Sequence, residues 1–331
     1  MEIHISDVRL FKRCRQLWDF AGRQRQGLRA KRPGVPLWFG TAVHAALDDY
    51  YLNGQVRSLQ TCYRSWLKGE LARLHSVLGD AGYREVRTQL ATTAALGDAV
   101  LANYAAWAKR HDDFTTHATE REFKLPLARG LTLVGKLDAV VQRSGKWWVH
   151  EYKTTSAWWD PDYLFQDEQA RAYVLAGQML LPAPLGGIIY TFIMKRAPKS
   201  PRLLKSGALS VKGLNTSPEL LAAAIHRLHL DPKDYGAALA AATAAEAAFV
   251  RRAEMQCPPQ ELLFWAGELA KVATEMQRPD VLIYPEPNPI TCKSCEFREP
   301  CLEVCRGGNP SALLQTNYML AARAEDVRLE E

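Results

Sequence analysis

The spacing of apolar residues along the chain predicts helices first and strands in the middle. Between residues 38 and 110 apolar positions recur every three or four residues, as in the stripe of Val43, Leu47 and Tyr50, and Thr41 is the predicted N-cap of the first helix. The pattern then changes to the alternation expected of β-structure. The predicted strands span residues 120–127, 131–142, 146–152 and 187–195. The last is apolar enough to be central in its sheet.

Capping residues and prolines place the remaining elements. Asp160-Pro161 is an N-cap followed by proline at the first helical position, which predicts a helix from there to about residue 181. The other predicted helices run up to residue 26, over residues 218–228, 235–255 and 259–277, and onward from residue 311. The segment 195–212 is predicted to be a loop.

The second and third predicted strands bring two acids together. If Ser144-Gly145 is a two-residue hairpin loop, the register places Asp138 directly opposite Glu151, with Cβ atoms about 5 Å apart. Lys153 points to the same face as Glu151, because side chains alternate along a strand. Two carboxylates so placed repel each other, and a divalent cation such as Mg²⁺ or Mn²⁺ would resolve the repulsion. The alternative is a solvated polar face on which Lys153 neutralises one carboxylate.

Composition and charge limit the classes of protein. With 331 residues, 47% apolar and 24% charged, the chain has ample material for a packed core, and disordered, collagen-like and coiled-coil classes are excluded. The net charge of +6 is concentrated, because residues 9–32 hold nine basic residues and one acid. Phe11, Trp18 and Phe20 interleave with these charges and could stack on bases. The alternatives are nucleic-acid contact or an ordinary solvated face, and the loop 195–212, with six basic residues and no acid, is a second candidate contact.

The seven cysteines are expected in a reducing compartment. We find no signal-peptide pattern and no apolar stretch of membrane-span length, so a cytoplasmic location without membrane contact is predicted, where cysteines favour metal ligation. Three cysteines follow the spacing Cys292-x2-Cys295-x5-Cys301, with Cys305 beyond them and Cys14 far upstream. Four thiolates suit either a 4Fe-4S cluster or a structural zinc ion.

Asp138 followed by Glu151-Tyr152-Lys153 resembles the signature of PD-(D/E)XK nucleases, an acid on one strand and (D/E)-x-K on the next. Two further motifs resemble the RecB-like branch of that superfamily. Gly40 to His44 is similar to its upstream G-x-x-x-H helix, and Gln169 to Tyr173 is similar to its downstream Q-x-x-x-Y.

This resemblance implies an α/β fold with a restriction-endonuclease-like core, a central mixed sheet flanked by helices, here with added helical regions. It further implies that His44, Asp138, Glu151 and the main-chain carbonyl of Tyr152 hold Mg²⁺ or Mn²⁺. Lys153 would serve the attacking water. Gln169 and Tyr173 would line the site, and Glu122 and Glu168 are nearby acids of lower rank.

The cysteine spacing resembles the iron–sulfur staple of AddB-type nucleases and of CRISPR-associated RecB-like exonucleases. By that resemblance Cys14, Cys292, Cys295 and Cys301 would bind a 4Fe-4S cluster that joins the N- and C-terminal segments. The alternative is a local zinc knuckle that includes Cys305 and leaves Cys14 free. Cys62 and Cys257 have no partners at metal-ligand spacing, which favours buried thiols.

The implied function is a metal-dependent DNA exonuclease acting on single-stranded DNA or DNA ends, in recombination, repair or phage DNA processing. The predicted DNA contacts of the basic segment are Arg9, Lys12, Arg13 and Arg15. The chain contains no Walker A sequence, so any helicase would be a separate partner. The alternatives are a non-catalytic DNA-binding iron–sulfur scaffold and an endonuclease with a local zinc knuckle.

One nuclease unit, residues 1–331, is expected, with six consecutive segments. They are a basic segment with the first cluster cysteine (1–37), a helical region with the metal-site histidine (38–110), the nuclease core (119–195), a basic loop with helices (196–280), the cysteine cluster (281–310) and a tail (311–331).

Overall fold

A mixed β-sheet forms the centre of the molecule. The computed structural model describes residues 2–321 except 33, 183, 213 and 214, so the end of the predicted tail lies outside the described residues. The strands are β1 (Glu2–His4), β2 (Leu28–Ala30), β3 (Thr115–Ala128), β4 (Leu131–Arg143), β5 (Lys146–Thr155), β6 (Leu185–Met194), β7 (Val250–Met255) and β8 (Tyr318–Leu320). Within this part of the chain the sheet order is β1-β4-β5-β6-β7, with β3 also paired to β4, while β2 and β8 form a separate ribbon.

Helices cover both faces of the sheet. They are α1 (Ile5–Arg13), α2 (Arg15–Ala21), α3 (Val35–Leu52), α4 (Leu59–His111), α5 (Pro161–Leu164), α6 (Glu168–Leu180), α7 (Pro218–Arg227), α8 (Gly236–Ala244), α9 (Pro259–Met276), α10 (Pro289–Lys293), α11 (Arg298–Cys305) and α12 (Ser311–Asn317). One apolar core joins α1, α6 and α9 to the sheet, and a second joins α3 and α4 to its other face. The predicted α/β class with a mixed sheet flanked by helices is confirmed.

The β4–β5 hairpin has the predicted loop and register. Ser144 (φ 48°) and Gly145 (φ 75°) are both in the left-handed region, as a type I′ turn requires, and Arg143 pairs with Lys146. The ladder ends at the pair Ala139–His150, so the predicted direct pairing of Asp138 with Glu151 is not part of it. Beyond it β1 pairs with residues 132–134 of β4, while β5 continues alongside β6. The two strands therefore part, and we call this point the strand fork.

Two predicted helices need correction at their ends or within. The N-terminal helix breaks at Cys14, whose extended backbone (φ −170°, ψ 121°) separates α1 from α2, and α2 ends at Ala21 rather than residue 26. The helix α3 begins at Val35 with Gly34 as N-cap, and the Thr41 hydroxyl donates to the Leu37 carbonyl within the helix. Proline in the first turn explains the earlier start.

Two other predicted helices are interrupted. Asp160 does cap a helix, but that helix ends at Leu164, and Asp167 caps a second one by accepting a hydrogen bond from the Gln169 N–H. The predicted helix over 235–255 was wrong in its second half. Residues 250–255 form β7, because pairing with β6 satisfies their main-chain groups and buries Val250 and Met255.

The segment between β6 and β7 is an insertion with an apolar core of its own. Leu209, Leu221, Ile225 and Tyr235 are buried together in it. Arg110 near the end of α4 pairs with Glu219 and Glu246, which fixes the insertion to the main body. Since β6 ends at Met194 and β7 begins at Val250, the insertion leaves and rejoins the sheet at one end.

Candidate active site

The two acids of the hairpin lie at the strand fork. Glu151 is 1% exposed, and its Oε1 contacts the Nζ of Lys153, two residues along β5 on the same face. Asp138 on β4 accepts a hydrogen bond from the main-chain N–H of Tyr152, with 3.0 Å between N and Oδ2. The Asp138 carboxylate therefore satisfies a β5 amide that the parted ladder leaves without a main-chain partner.

The predicted ligand carbonyl belongs to Tyr152. In an extended strand the N–H and C=O of one residue face the same neighbouring strand, so this carbonyl lies on the Asp138 edge of β5. The Tyr152 side chain lies in the core between the sheet and helices α3 and α4, where its ring stacks on Tyr51.

Helix α3 places His44 at the strand fork, beside Asp138. The Nδ1 of His44 lies 3.3 Å from Oδ2 of Asp138. The buried Ala42, Val43 and Leu47 hold this helix against the sheet. One turn before His44, a Cβ on Gly40 would lie 3.3 Å from the Thr154 hydroxyl, so the close approach of α3 to β5 favours glycine there.

The helix α6 supplies Gln169 and Tyr173 from the other side. The Gln169 amide nitrogen donates to Glu151 Oε1 and to the Tyr173 hydroxyl, both at 2.9 Å. Its carbonyl oxygen accepts from Lys153 Nζ at 2.8 Å. Gln169 thus fixes Glu151 and Lys153 relative to each other, and all seven residues predicted for the catalytic centre are brought together.

Burial disfavours the charged form of each acid, and the neighbouring charges decide the result. For Asp138 burial is outweighed by His44 and Lys153, and the pKa is lowered to about 2. For Glu151 burial and the Asp138 charge prevail over Lys153 and His44, and the pKa is raised to about 8. Burial lowers the pKa of His44, but the adjacent Asp138 carboxylate outweighs it and the net shift is upward. A positive charge is therefore favoured between these side chains.

The same side chains supply donor atoms of the kind that a divalent metal ion binds. Glu151 Oε2 is buried and has no hydrogen-bond partner in the described part of the chain, which is costly unless a cation compensates it. Among the described residues, no group of three or more His, Cys, Asp or Glu side chains is arranged to hold a metal ion, and His44 contacts Asp138 directly. The donor set of two carboxylates and an imidazole fits Mn²⁺ or Mg²⁺ if that contact opens.

Glu120 is an acid near the fork that the sequence did not single out. It lies between the β3–β4 pairs Thr119–Ala139 and Arg121–Leu137, and hence opposite Asp138. Burial raises its pKa against the pull of Lys136, and Asp138 adds to the rise. Glu122, predicted as a nearby acid of lower rank, is exposed and only lies opposite Lys136 in the ladder, whereas the Lys136 ammonium pairs with Glu120. If the strand pairs are counted from the Arg129-Gly130 turn, the residue assigned opposite Asp138 is off by one. The reason is a bulge between Pro126 and Ala128, which shifts the register.

The basic residues of α1 and its neighbourhood divide into two pairs. Arg9 donates to the Gln169 oxygen at 3.3 Å, and Lys12 pairs with Glu168, so both border the site. Arg13 donates to the Thr291 carbonyl and Arg15 pairs with Glu275, so both point toward the C-terminal segment and α9. The expectation that the interleaved aromatics stack on bases was wrong, because all three are at most 2% exposed. They are Phe11, Trp18 and Phe20.

Four of the cysteines lie near the junction of the N- and C-terminal segments, but within the described residues no three of them are arranged to hold a metal ion. Cys14, Cys295 and Cys301 border one apolar cluster, in which Phe297 stacks between Phe20 and Tyr318. Cys292 lies in α10 beside them. Main-chain N–H groups of Glu286 and Asn288 donate to the sulfurs of Cys14 and Cys292, at 3.4 and 3.3 Å.

The other cysteines differ in their surroundings. Cys305 is exposed but close to Cys301, whose pKa is raised to about 12 by burial and then by the neighbouring thiols of Cys305 and Cys14. Cys62 is buried, as predicted, and Cys257 is half-buried.

A family model described as the PD-(D/E)XK nuclease superfamily matches residues 3–302. The chain belongs to this superfamily. Its members are nucleases, which are hydrolases that act on DNA and typically use divalent metal ions. No curated protein matches the chain. Among solved structures, "Crystal structure of SSO0001" is 13% identical, covers 78% of this chain and 81% of its own, and has a TM-score of 0.29, which is too low to establish a shared fold.

Membrane insertion by a helix is not supported by the part of the chain that the structure describes. No helix there is both long and apolar enough to cross a bilayer.

Proposed function

We propose that this PD-(D/E)XK nuclease is a metal-dependent DNA exonuclease that hydrolyses phosphodiester bonds on single-stranded DNA or at DNA ends. The observation that carries the proposal is the buried Oε2 of Glu151, which has no hydrogen-bond partner among the described residues and lies beside Asp138 and His44. Burial of a carboxylate oxygen without a donor is costly, and a cation beside it would offset that cost. The exonucleolytic mode, and a role in recombination, repair or phage DNA processing, rest on the RecB-like motifs.

In this proposal His44, Asp138, Glu151 and the Tyr152 carbonyl hold Mg²⁺ or Mn²⁺. The chemistry supplied by such an ion is Lewis-acid stabilisation of the charge that develops on the phosphate. Gln169 keeps Lys153 and Glu151 in place through its three hydrogen bonds to Lys153, Glu151 and Tyr173.

The remaining roles belong to basic side chains. Lys153 donates hydrogen bonds toward the attacking water or the phosphate oxygens, so that negative charge is stabilised where the bond forms. Arg9 and Lys12, which border Gln169 and Glu168, hold the phosphate backbone of the strand.

The deciding experiment compares cleavage of end-labelled single-stranded DNA with Mn²⁺ by wild type, Glu151→Gln and Glu122→Gln. Glu122 is an exposed glutamate of the same sheet and serves as the matched control. We expect Glu151→Gln to lose on the order of 100-fold or more in rate, and Glu122→Gln to resemble wild type. Shortening of the labelled strand one nucleotide at a time would identify exonucleolytic action and its polarity. Wild-type cleavage by Glu151→Gln would overturn the proposed mechanism.

Thermal unfolding with and without Mn²⁺ tests the metal ligands without activity. An ion that binds only the folded protein stabilises it by about 2.7 kcal/mol at 100 times its Kd. We expect Mn²⁺ to raise the Tm of metal-free wild type by several degrees and to leave Glu151→Gln unchanged. Equal shifts in the two proteins would exclude Glu151 as a ligand.

We also propose that Cys14, Cys292, Cys295 and Cys301 bind a 4Fe-4S cluster. This proposal is supported by the shared apolar cluster that Cys14, Cys295 and Cys301 border, and by the two N–H to sulfur hydrogen bonds, since such bonds accompany cluster thiolates. Iron and acid-labile sulfide should be present in anaerobically purified wild type and lost in Cys14→Ser. Zinc retained by Cys14→Ser and lost by Cys305→Ser would instead identify the local knuckle.

A further inference from the structure

The insertion between β6 and β7 begins with a basic hairpin, residues 195–212, that the proposed chemistry does not use. Its two arms are joined by a bridge between Leu203 and Leu209. The Leu204 N–H donates to the Ala208 carbonyl, and Gly207 adopts φ +85°, which is the geometry of a three-residue loop with a bulge. Lys205, Ser206 and Gly207 form its tip.

The arm of the hairpin that contains Leu209 packs into the core of the insertion. Leu209 is 3% exposed within the core of the insertion, and its main-chain N–H donates to the Tyr235 hydroxyl at 3.0 Å. The opposite arm is different. Leu203 is 57% exposed and Leu204 is 47% exposed, although leucines usually lie in a core.

Basic residues flank these leucines along the chain. Lys199, Arg202, Lys205 and Lys212 are all exposed, and within the described residues none of them has an acidic partner within salt-bridge distance. The segment 195–212 contains no acid at all. A partner that complements this surface is therefore polyanionic and also offers an apolar face. The stacked bases and phosphates of duplex DNA supply both.

The hairpin starts at the catalytic end of the sheet. The Lys195 N–H donates to the Thr155 carbonyl at 2.7 Å, two residues beyond Lys153 on β5. The Lys195 ammonium donates to the Pro36 carbonyl in the first turn of α3, the helix that carries His44. Ten residues of chain reach at most about 35 Å, so the tip lies within about ten base steps of Lys195.

From this geometry we infer that the tip of the basic hairpin separates the strands of a duplex DNA end before one strand reaches the active site. Leu203 and Leu204 unstack the terminal base pairs, and Arg202 and Lys205 hold the flanking phosphates. Apolar side chains inserted between base steps are a known way to unstack DNA, and adjacent basic residues keep the duplex in register. The inference rests on the proposed nuclease function and assigns the opening of duplex ends to a separate element of the fold.

The test compares the rates at which wild type and Leu203→Ser/Leu204→Ser cleave two DNA substrates in the presence of Mn²⁺. One is a blunt duplex, and the other carries unpaired arms of about 15 nucleotides, longer than the reach of the hairpin. We expect the variant to cleave the blunt duplex about tenfold more slowly, the effect of losing part of the leucine burial, and the splayed duplex at the wild-type rate. The control is Leu263→Ser/Leu282→Ser, which alters leucines that are 70% and 73% exposed outside the hairpin.

A second readout does not depend on cleavage. A duplex with 2-aminopurine in its terminal base pair should become more fluorescent when wild type binds it in buffer with Ca²⁺ in place of Mn²⁺. The increase should be much smaller when Leu203→Ser/Leu204→Ser binds it. No rise with wild type, or equal rises with both proteins, would overturn the inference. If fluorescence rises as expected but no protein cleaves DNA, strand separation stands and the nuclease proposal fails.

The phosphate contacts are tested by salt dependence. Arg202→Gln/Lys205→Gln should reduce the slope of log K against log salt concentration for duplex binding by about 2, because each lost phosphate contact removes about 0.9. Lys271→Gln, which alters an exposed lysine of α9, should leave the slope unchanged. An unchanged slope in the double variant would remove the hairpin from the DNA path.

Discussion

Gly135 allows a test of how the sheet positions the site without altering any proposed ligand. It lies opposite Phe123 in the β3–β4 ladder, and a Cβ at this position would be 2.6 Å from the Phe123 ring. That ring is 4% exposed and packs edge-on against Tyr173, with centroids 6.0 Å apart. Tyr173 in turn accepts the Gln169 hydrogen bond. The substitution Gly135→Ala therefore pushes Phe123 toward the residues that fix Glu151.

The size of the effect follows from these contacts. Carbon atoms in contact are normally 3.5–4.0 Å apart, so the ring must move by on the order of 1 Å. Overpacking of this kind costs about 1–3 kcal/mol, and each kcal/mol lowers Tm by about 2–4 °C in chains somewhat smaller than this one. A displacement of about 1 Å near reacting groups can reduce the rate about 100-fold. Both Tm and the rate of DNA cleavage should therefore fall.

Differential scanning calorimetry and the end-labelled DNA assay measure the two effects. Adding Phe123→Leu to Gly135→Ala should recover part of both losses, because the smaller side chain vacates the space that the new methyl group needs. Gly267→Ala in helix α9 is the control, since a Cβ at that position would have no neighbouring atom of the described residues within 4 Å. Unchanged Tm and rate in Gly135→Ala, or no recovery with Phe123→Leu, would refute this reasoning.

Three further predictions concern other parts of the fold. Arg252→Met should lose about 3–5 kcal/mol in urea unfolding, because the Asp112 carboxylate, 12% exposed like Arg252, keeps its Tyr51 hydrogen bond but loses its cation; wild-type stability would contradict this. Phe297→Ala should cost about 3–5 kcal/mol locally and expose residues 289–321 to proteolysis while the sheet stays folded, unlike the partly exposed Leu302→Ala; equal digestion of both variants would contradict it. Glu120→Gln should weaken Mn²⁺ binding about tenfold in thermal-shift titrations, since a carboxylate opposite Asp138 is lost; an unchanged Kd would exclude that role.

Some features of the site followed from the sequence because local rules determine them. A two-residue loop fixes the register of the strands on either side of it, so Ser144-Gly145 alone was enough to bring Asp138 and Glu151 to one place. Alternation along a strand likewise set Lys153 on the face of Glu151. The motif resemblance added His44 and Gln169, which no local pattern joins to the hairpin.

Other features depended on contacts between distant segments. Residues 250–255 looked helical beside an alanine-rich stretch, and only the open edge of β6 made them a strand. The β3–β4 bulge brought Glu120 rather than Arg121 opposite Asp138. The aromatic residues of the basic segment looked available to bases until their burial was known.

The sequence by itself therefore determined the chemistry of the hairpin, and tertiary structure decided what surrounds it. Turn type and side-chain alternation act over a few residues and can be read along the chain. The parting of β4 and β5 requires β1, which lies more than a hundred residues upstream, to pair with residues 132–134. That competition for one strand edge is settled only when the whole sheet assembles, because each main-chain group bonds to whichever neighbour the completed fold supplies.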